Sequence, residues 1–400
     1  MTDGCARATE YVSLDCVRTV SRLRPFGTTV FAEMSALAVE HSAVNLGQGF
    51  PDTDGPASML AAAARAIAEG HNQYPPGIGV AELRHAVARH QDHHYGLRYD
   101  PDTEVLITVG ATEAIAGSVV GLVEPGSDVV MIEPYYDSYA ATVAMAGGNR
   151  RTVPLVGDAD GFRLDRSRLA EAFTPQTSMI LVNSPHNPTG TVLADDDLAE
   201  IARLCVAHDV VAVTDEVYEH LLFDGRVHRP LATFPGMRER TLRISSAAKT
   251  FNCTGWKVGW VSGPADLVAA ARAAKQFMSY VGSGPFQPAV AHALDHEMDW
   301  VRASSAELAG KRDLLSAALR DAGFDVHRSE ASYFVCADPR PVGYADGIEF
   351  CRMLPERIGV AAVPVSAFVD DKSTWRHLVR FAFSKREDVI AEAAQRLRRL

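Results

Sequence analysis

The chain has 400 residues, of which 47% are hydrophobic and 22% are charged, a composition typical of a globular protein. Its length favours two compact lobes over a single core. Acidic residues outnumber basic ones by 50 to 39, the net charge is −11, and no basic stripe runs along the sequence. This composition argues against nucleic acid as the main partner.

The cysteines and the N-terminal sequence indicate the cellular compartment of the protein. The six cysteines are scattered without a CxxC pair, which argues against a disulfide framework and favours a reducing compartment. The opening MTDGCARATEYVSLDC has an acid at Asp3 and no apolar segment, so we do not expect it to be a secretory signal. No run approaches the roughly 18 uninterrupted apolar residues of a membrane span. We expect a cytoplasmic protein with no membrane partner.

Residues 1–30 lack a clear period and predict an N-terminal arm. Residues 31–55 are expected to pack with a small C-terminal domain. Helical periodicity begins at Pro56–Gly70 and continues in GVAELRHAVARHQDHHYG.

Short apolar strands then alternate with helices. The strands are EVLITVG, DVVMIEP, SMILVNSP, VVAVTDE, TLRISS and GWKVGWVSG, and the intervening helices include ATEAIAGSVVGLV, YDSYAATVAMAGG and DDLAEIARLCVAHD. This alternation predicts an α/β fold with a mostly parallel sheet covered by helices on both faces. We expect a large domain at 56–290 and a smaller α+β domain at 291–400, which contains the strands SYFVCADP and LVRFAFSK.

The stretch SSAAKTFNCTGWKVGW holds Lys249 and Lys257 among small, hydroxyl and apolar residues. Lys249 follows a predicted strand, where its amine would be partly desolvated and usable as a nucleophile toward an aldehyde. On local context alone, a lysine whose stem lies along apolar surface while its amine reaches water explains the position equally well.

Polar side chains follow the ends of neighbouring strands. Asp215 ends VVAVTD, where α/β sheets place their ligands, and a carboxylate there can keep a heteroaromatic nitrogen protonated. Tyr218, three residues on, can present a phenol to the same ligand. Asn187 lies in the turn NSPHNPTG, and Pro188 keeps it out of helical geometry. Taken singly, Asp215 would be a helix cap and Asn187 an ordinary turn residue.

A phosphate site is predicted at the strand-to-helix junction TVGATEA. The backbone N–H groups of Gly110, Ala111 and Thr112 would lie at a helix N-terminus, which suits an anion. Ser246 and Lys257 would add a hydroxyl and a cation. The junction alone is equally consistent with simple helix capping.

Tyr136, in EPYYDSY, follows another strand end and could lie flat on an aromatic ring, although a core role would explain it alone. An amine that seeks an aldehyde, a partner for a pyridinium, donors to a ring oxygen, a phosphate cradle and a stacking ring together describe pyridoxal 5′-phosphate.

The same motifs resemble those of class I aminotransferases, the fold-type I pyridoxal-phosphate enzymes. The resemblance is carried by SSAAKTFNCTGWKVGW, VTDEVYEH, NSPHNPTG, EPYYDSY and VNLGQGFPD, and it runs from about Phe31 to the C-terminus. VNLGQGFPD and NQYPPG are similar to the kynurenine and glutamine transaminase branch. The whole chain looks most like the bacterial N-succinyldiaminopimelate aminotransferases of lysine biosynthesis.

The resemblance implies a role for each matching residue. Lys249 would form the Schiff base with the cofactor, and Asp215 would pair with the pyridine nitrogen. The match at NQYPPG implies a homodimer with its active site at the subunit interface. The other cofactor-binding residues would be Tyr218 and Asn187 at the ring oxygen, Tyr136 on the ring face, Ser246, Lys257, Ala111 and Thr112 at the phosphate, and Tyr74 at the phosphate of the neighbouring subunit.

For the substrate, Arg380 in LVRFAFSK matches the arginine that grips the α-carboxylate, with Gly49 and Asn187 nearby. An arginine in the middle of an apolar strand is costly without a partner, and its planar fork suits a carboxylate. An internal ion pair is the alternative. Phe31 stands where the kynurenine branch tends to carry a tryptophan that lines the substrate pocket, which argues against kynurenine specificity.

The resemblance therefore implies a transaminase that takes an amino group from glutamate and gives it to N-succinyl-2-amino-6-oxopimelate. A kynurenine or glutamine type of aminotransferase, with β-lyase activity on cysteine conjugates, stays open as the alternative. A ligand-sensing transcription regulator on this fold would need a DNA-binding domain before Phe31, where we expect too few residues to hold one.

No metal site is predicted. The fourteen histidines show no ligand pattern. The group formed by His85, His90, His93 and His94 predicts a solvated helix face.

Overall fold

The computed structural model describes residues 19–27, 30–158 and 160–400, so most of the predicted N-terminal arm lies outside the described residues. The strands in this part of the chain are β1 Val44–Asn45, β2 Val105–Val109, β3 Asp128–Glu133, β4 Asn149–Asp158, β5 Gly161–Leu164, β6 Thr177–Asn183, β7 Val211–Asp215, β8 Thr241–Ser246, β9 Val258–Ser262, β10 Asp325–Val326, β11 Phe334–Asp338, β12 Val360–Ala361, β13 Val363–Pro364 and β14 Val379–Ala382.

The α-helices in the same residues are α1 Val30–Glu40, α2 Ala57–Ala68, α3 Ala81–Tyr95, α4 Gly110–Leu122, α5 Asp137–Ala146, α6 Arg166–Ala172, α7 Asp195–His208, α8 Ala247–Thr250, α9 Ala265–Lys275, α10 Phe286–His296, α11 Met298–Asp321, α12 Gly347–Ile358, α13 Lys372–Trp375 and α14 Glu387–Leu397. None of the helices described combines the length and the apolar character that a membrane span requires.

The larger sheet has eight strands in the order β2-β9-β8-β7-β6-β3-β4-β5. The run from β8 to β4 is parallel, while β9 and β5 are antiparallel to their neighbours. Alternate residues of β3 enter different cores: Val129 and Met131 pack with residues of α4 and α5, whereas Val130 and Ile132 pack with residues of α7. Helices therefore cover both faces, and the predicted α/β architecture is confirmed.

A second sheet, of four antiparallel strands, has the order β10-β11-β14-β13. Its core contains Phe350, Phe381 and Ile390, contributed by α12, β14 and α14. The N-terminal segment joins this part of the molecule, because β1 pairs with β12 and α1 packs on α12. This packing supports the expected role of residues 31–55, while the domain boundaries at 56–290 and 291–400 stay a prediction.

The topology brings the ends of several strands to one edge of the larger sheet. The parallel strands β3, β6, β7 and β8 all end there. Strand β2 ends there too, because it is antiparallel to β9, which is itself antiparallel to β8. The segments that follow these strands carry the residues predicted to bind a ligand, so the fold places them together.

Two features differ from the sequence predictions. Residues 149–158 and 161–164 form the antiparallel pair β4 and β5, which we did not predict because arginines and exposed positions interrupt the apolar pattern at this sheet edge. The predicted solvated histidine face is wrong in part. His85 and His93 are exposed, but His90 is only 4% exposed because its face of α3 packs against the segment after β7.

The start of α4 rests on Gly259 of β9, and this contact generates a prediction. A Cβ added to Gly259 would lie 2.6 Å from the carbonyl carbon of Gly110 and 2.8 Å from the nitrogen of Ala111. Because both atoms belong to the backbone, the helix start would have to move. We expect Gly259→Ala to cost about 1–3 kcal/mol of stability and to lower the midpoint of thermal unfolding.

Gly255→Ala is the matched control, since an added Cβ there meets no atom within 4 Å. Its unfolding midpoint should equal that of the wild type. Equal midpoints for Gly259→Ala and Gly255→Ala would contradict the close approach of β9 to α4.

Candidate active site

A cavity of about 300 Å³ lies at the edge where the strands end. Residues from both sheets line it, including Asp215 from the larger sheet and Arg380 from the smaller one. Apart from Tyr74, the structure brings together all the predicted site residues, namely Phe31, Gly49, Ala111, Thr112, Tyr136, Asn187, Asp215, Tyr218, Ser246, Lys249, Lys257 and Arg380.

Lys249 lies on the short helix α8, directly after β8, and its side chain reaches into the cavity. Its Nζ donates to Tyr333 Oη at 2.6 Å, and the Tyr333 hydroxyl in turn donates to the carbonyl oxygen of Gly49 at 2.5 Å. Sequence reasoning missed Tyr333, because it lies 84 positions from Lys249 and no local pattern joins them. Tyr333 holds the amine in a defined place at the centre of the cavity.

Asp215 ends β7, and its side chain is buried. One carboxylate oxygen accepts from Tyr139 Oη at 2.6 Å, and the other accepts from the Val217 N–H at 3.3 Å. Burial raises the pKa of Asp215, and these two hydrogen bonds and the ammonium of Lys249 oppose the rise. A buried carboxylate in this state is stabilised by a further cationic partner, such as a protonated pyridine.

Tyr218 and Asn187 lie beside Asp215. Burial, and then the neighbouring Tyr333, raise the pKa of Tyr218 well above its ordinary value. The phenol therefore keeps its proton and can donate a hydrogen bond. The backbone N–H of Asn187 donates to Asn183 Oδ1 at 2.7 Å, and Asn183 Nδ2 donates to the carbonyl oxygen of Asp215 at 2.8 Å. Asn183, which we did not predict, therefore fixes the Asn187 turn against β7.

A corner suited to phosphate lies at the N-terminus of α4. Gly110 begins this helix with a φ of +75°, and an added Cβ there would lie 3.3 Å from Lys257 Nζ. The cation therefore lies against the backbone at the helix start, next to Ala111 and Thr112. Ser246 ends β8 and lines the same cavity. A cation, a hydroxyl and free N–H groups together match a phosphate.

Tyr136 lies at the start of α5 and lines the cavity. Burial raises the pKa of its hydroxyl, which remains protonated at neutral pH. Its ring contacts that of Tyr139 edge to face, with the centroids 5.8 Å apart. Tyr139, the missed hydrogen-bond partner of Asp215, belongs to the same EPYYDSY motif as Tyr136. That motif was the one sequence signal that could have identified it.

Arg380 lies on β14 and is buried. Its guanidinium donates to Asn187 Oδ1 at 3.0 Å and to the carbonyl oxygen of Gly47 at 2.8 Å, while its Nε has no partner in the described residues. Burial lowers the pKa of Arg380 to about 10, so the group is still charged at neutral pH.

Among the described residues, no carboxylate forms a direct salt bridge with Arg380, although Asp137, which lines the same cavity, interacts with its charge. The rings of Phe334, Phe368 and Phe31 surround its guanidinium, with centroids 4.0, 4.9 and 5.4 Å from Cζ. A buried guanidinium with a free N–H and amide oxygens as neighbours fits the carboxylate of an incoming substrate.

Tyr74 does not reach this cavity. Its side chain is 82% exposed, between α2 and α3, and its ring lies 5.7 Å from that of Tyr280. The predicted role of Tyr74 is at the phosphate of the neighbouring subunit, and it stays a prediction.

The residues of the cavity fit pyridoxal 5′-phosphate. Asp215 is a partner for a ring nitrogen, Tyr218 and Asn187 offer polar groups beside it, and the α4 corner suits a phosphate. Lys249 supplies an amine at the centre, and Tyr136 supplies a ring at the wall. This fold and this donor set define a pyridoxal-phosphate enzyme of the aminotransferase type.

The chain belongs to the aminotransferase family, because the family described as "Aminotransferase class I and II" matches residues 41–397. It is 61% identical over 387 residues to the "Probable N-succinyldiaminopimelate aminotransferase DapC" of Mycobacterium tuberculosis, covering 95% of this chain and 98% of that protein. It is 38% identical over 380 residues to the methionine aminotransferase of Escherichia coli K12, covering 95% and 98%.

The "Kynurenine--oxoglutarate transaminase 3" of Mus musculus is 35% identical over 406 residues, covering 94% of this chain and 89% of that protein. Among solved structures, that of the N-succinyldiaminopimelate aminotransferase from Mycobacterium tuberculosis matches with a TM-score of 0.94 at 62% identity, covering 95% of this chain and 99% of that chain. The predicted family, fold and cofactor are confirmed.

The environment of Asp215 generates a prediction. We expect Asp215→Asn to leave cofactor content and unfolding midpoint close to those of the wild type and to lower kcat by several orders of magnitude. An amide cannot hold a proton on the pyridine nitrogen as a carboxylate does, so the ring would withdraw electrons less strongly in the transition state. Single-turnover absorbance of the cofactor-loaded variant measures this directly.

The matched control is Asp209→Asn, which changes an exposed carboxylate at the end of α7. It should turn over like the wild type. A cofactor-loaded Asp215→Asn enzyme with near-normal kcat would remove Asp215 from the proposed role.

Proposed function

We propose that this aminotransferase moves an amino group from glutamate to N-succinyl-2-amino-6-oxopimelate. The observation that carries the proposal is the 61% identity, over 95% of the chain, to a relative named as an N-succinyldiaminopimelate aminotransferase. The kynurenine alternative is supported by weaker similarity, 35% to the mouse enzyme. A cytoplasmic location stays a prediction.

The side chains of the cavity divide the work of such a reaction. When bound, pyridoxal phosphate supplies an aldehyde and a ring that withdraws electrons from the substrate Cα. Lys249 Nζ, held by Tyr333 at 2.6 Å, is the base that moves the Cα proton. Asp215 keeps the proton on the ring nitrogen, and the α4 corner with Lys257 anchors the phosphate.

Arg380 would orient the substrate. Its free Nε and its two donating nitrogens provide a planar fork for the α-carboxylate, and Asn187 holds that fork from the side. The surrounding rings of Phe31, Phe334 and Phe368 exclude water from this ion pair and so strengthen it. All amino-acid substrates share the α-carboxylate, so this end of the site does not choose between them.

Substrate choice depends on the far end of the substrate. Phe31 lines the cavity beside Arg380, at the position where the kynurenine branch tends to carry a tryptophan. An aromatic substrate such as kynurenine gains from a large stacking surface, and phenylalanine offers less of it than tryptophan. We expect kcat/KM with the succinylated oxo-acid, glutamate being the donor, to exceed kcat/KM with kynurenine by tenfold or more. Both kcat/KM values are measured with coupled assays under the same conditions. A tenfold preference for kynurenine (about 1.4 kcal/mol) would overturn the substrate assignment and leave the family untouched.

We also propose that the working enzyme is a homodimer in which Tyr74 serves the neighbouring subunit. The proposal is supported by the exposed position of Tyr74 outside its own cavity, by its exposed ring neighbour Tyr280, and by Phe277, which precedes Tyr280 in the same segment. Phe277 is 86% exposed, and Tyr280, next to Tyr74, is 50% exposed. Large apolar side chains grouped on a surface are typical of protein interfaces.

Mixing two inactive variants tests the shared site. A heterodimer of Lys249→Ala and Tyr74→Ala subunits contains one intact site, because Lys249 and Tyr74 of that site come from different chains. After full subunit exchange we expect about a quarter of wild-type activity. The control pair is Lys249→Ala with Asp215→Asn. Both residues of one site come from the same chain, so each site of this heterodimer carries one of the two substitutions and no activity should return. Failure of the first pair to recover, with exchange demonstrated, would reject the shared site.

A further inference from the structure

Three imidazoles meet on the side of the larger sheet where α3 packs. His90 and His94 lie one turn apart on α3, and His220 lies in the segment after β7. Among the described residues, one nitrogen from each of the three lies within 4.8 Å of the others. The Nε2 atoms of His90 and His220 are 2.7 Å apart. Two histidines four positions apart on a helix and a third from another element form a familiar metal-binding arrangement.

A buried carboxylate lies beside the cluster. Glu219 is buried and interacts electrostatically with His220 and His90. Arg243 Nη2 lies 3.5 Å from Glu219, while Glu216 accepts from Arg243 Nε at 2.9 Å and lies 2.7 Å from His228 Nε2. The carboxylate of Glu219 therefore places a negative charge next to the imidazoles.

Gln91 supplies a means of orienting His90. Its Nε2 lies 3.2 Å from His90 Nδ1, and its buried Oε1 has no hydrogen-bond partner in the described residues. Rotating the amide by half a turn places this oxygen where it accepts a proton from Nδ1. That hydrogen bond fixes the tautomer in which His90 Nε2 is free to bind a metal.

A metal ion can also reach the cluster. A cavity of about 470 Å³, separate from the active-site cavity, is lined by His90 and His94 and also by His93 and His296. The nitrogens of a tetrahedral zinc site are about 3.3 Å apart, given bonds of about 2.0–2.1 Å. His90 and His220 would therefore separate by roughly half an ångström on binding.

We propose that His90, His94 and His220 form a binding site for a zinc-class divalent transition-metal ion, with its fourth position open to the cavity. Three imidazole donors favour zinc and its neighbours over calcium or magnesium, which prefer oxygen ligands. The ion would tie α3 to the segment that carries Tyr218 and follows Asp215. None of the three histidines lines the active-site cavity, so the role is to stabilise this segment.

The test is a zinc titration of the dialysed, cofactor-loaded enzyme against a chromophoric chelator, with thermal unfolding measured in parallel. We expect one Zn²⁺ per chain and a higher unfolding midpoint when it is bound. His94→Gln and His220→Gln should each weaken zinc binding at least tenfold and abolish the rise in midpoint. His85→Gln, on an exposed part of the same helix, should behave like the wild type in both measurements.

Each other result would overturn the proposal. Binding well below one zinc per chain in the wild type excludes the site. Unchanged zinc affinity in His94→Gln or His220→Gln places bound zinc elsewhere. His94 is only half-buried, so its variant reports on the ligand role even if His220→Gln unfolds, and the visible spectrum of the cofactor checks the folding of both.

Discussion

The buried carboxylate of Asp215 is the interaction on which the active site depends. It lies at the end of a central strand, and Tyr139, Val217 and Asn183 all hydrogen-bond to this one residue. Through Asn183 the turn that carries Asn187 is fixed to β7, and through Tyr139 the start of α5 is fixed as well. Because burial raises the pKa of the carboxyl group, we propose that a protonated ring nitrogen completes this network.

Arg380 lines the same cavity as Asp215 and is also a buried charged group, but its charge is positive. Its guanidinium contacts aromatic rings and neutral oxygens, while the carboxylate of Asp137 acts on it without a direct contact. A buried charge without a direct counter-charge is costly, so Asp215 and Arg380 each gain most when the complementary ligand arrives. Lys249 lines the same cavity and is held by Tyr333, and we propose that a cofactor bound to Asp215 meets there a substrate bound to Arg380. In this proposal, the negative charge of Asp215 places the cofactor in the cavity and the positive charge of Arg380 places the substrate.

Local sequence was sufficient to predict the site residues that follow strand ends. The runs before Asp215 and Gly110 are mostly apolar and the run before Ser246 is fully buried, and all three end in polar or small residues, so their common edge could be predicted from the alternation of strands and helices. Tyr333 could not be predicted, because its hydrogen-bond partner Lys249 is 84 positions away in the chain. His90 was misread for a related reason: whether a helical face is solvated depends on what packs against it, and His220 lies 130 positions away.

The central claim is that these strand ends build a covalent cofactor site on Lys249, and sodium borohydride reduction followed by peptide mapping tests it most directly. Reduction fixes the cofactor to the amine that holds it. The account predicts one reduced pyridoxyl group per chain, on the peptide that contains Lys249, and loss of the visible absorbance. A modified Lys257, eight residues further along the same segment, or an unmodified Lys249 in the fully loaded enzyme would contradict it.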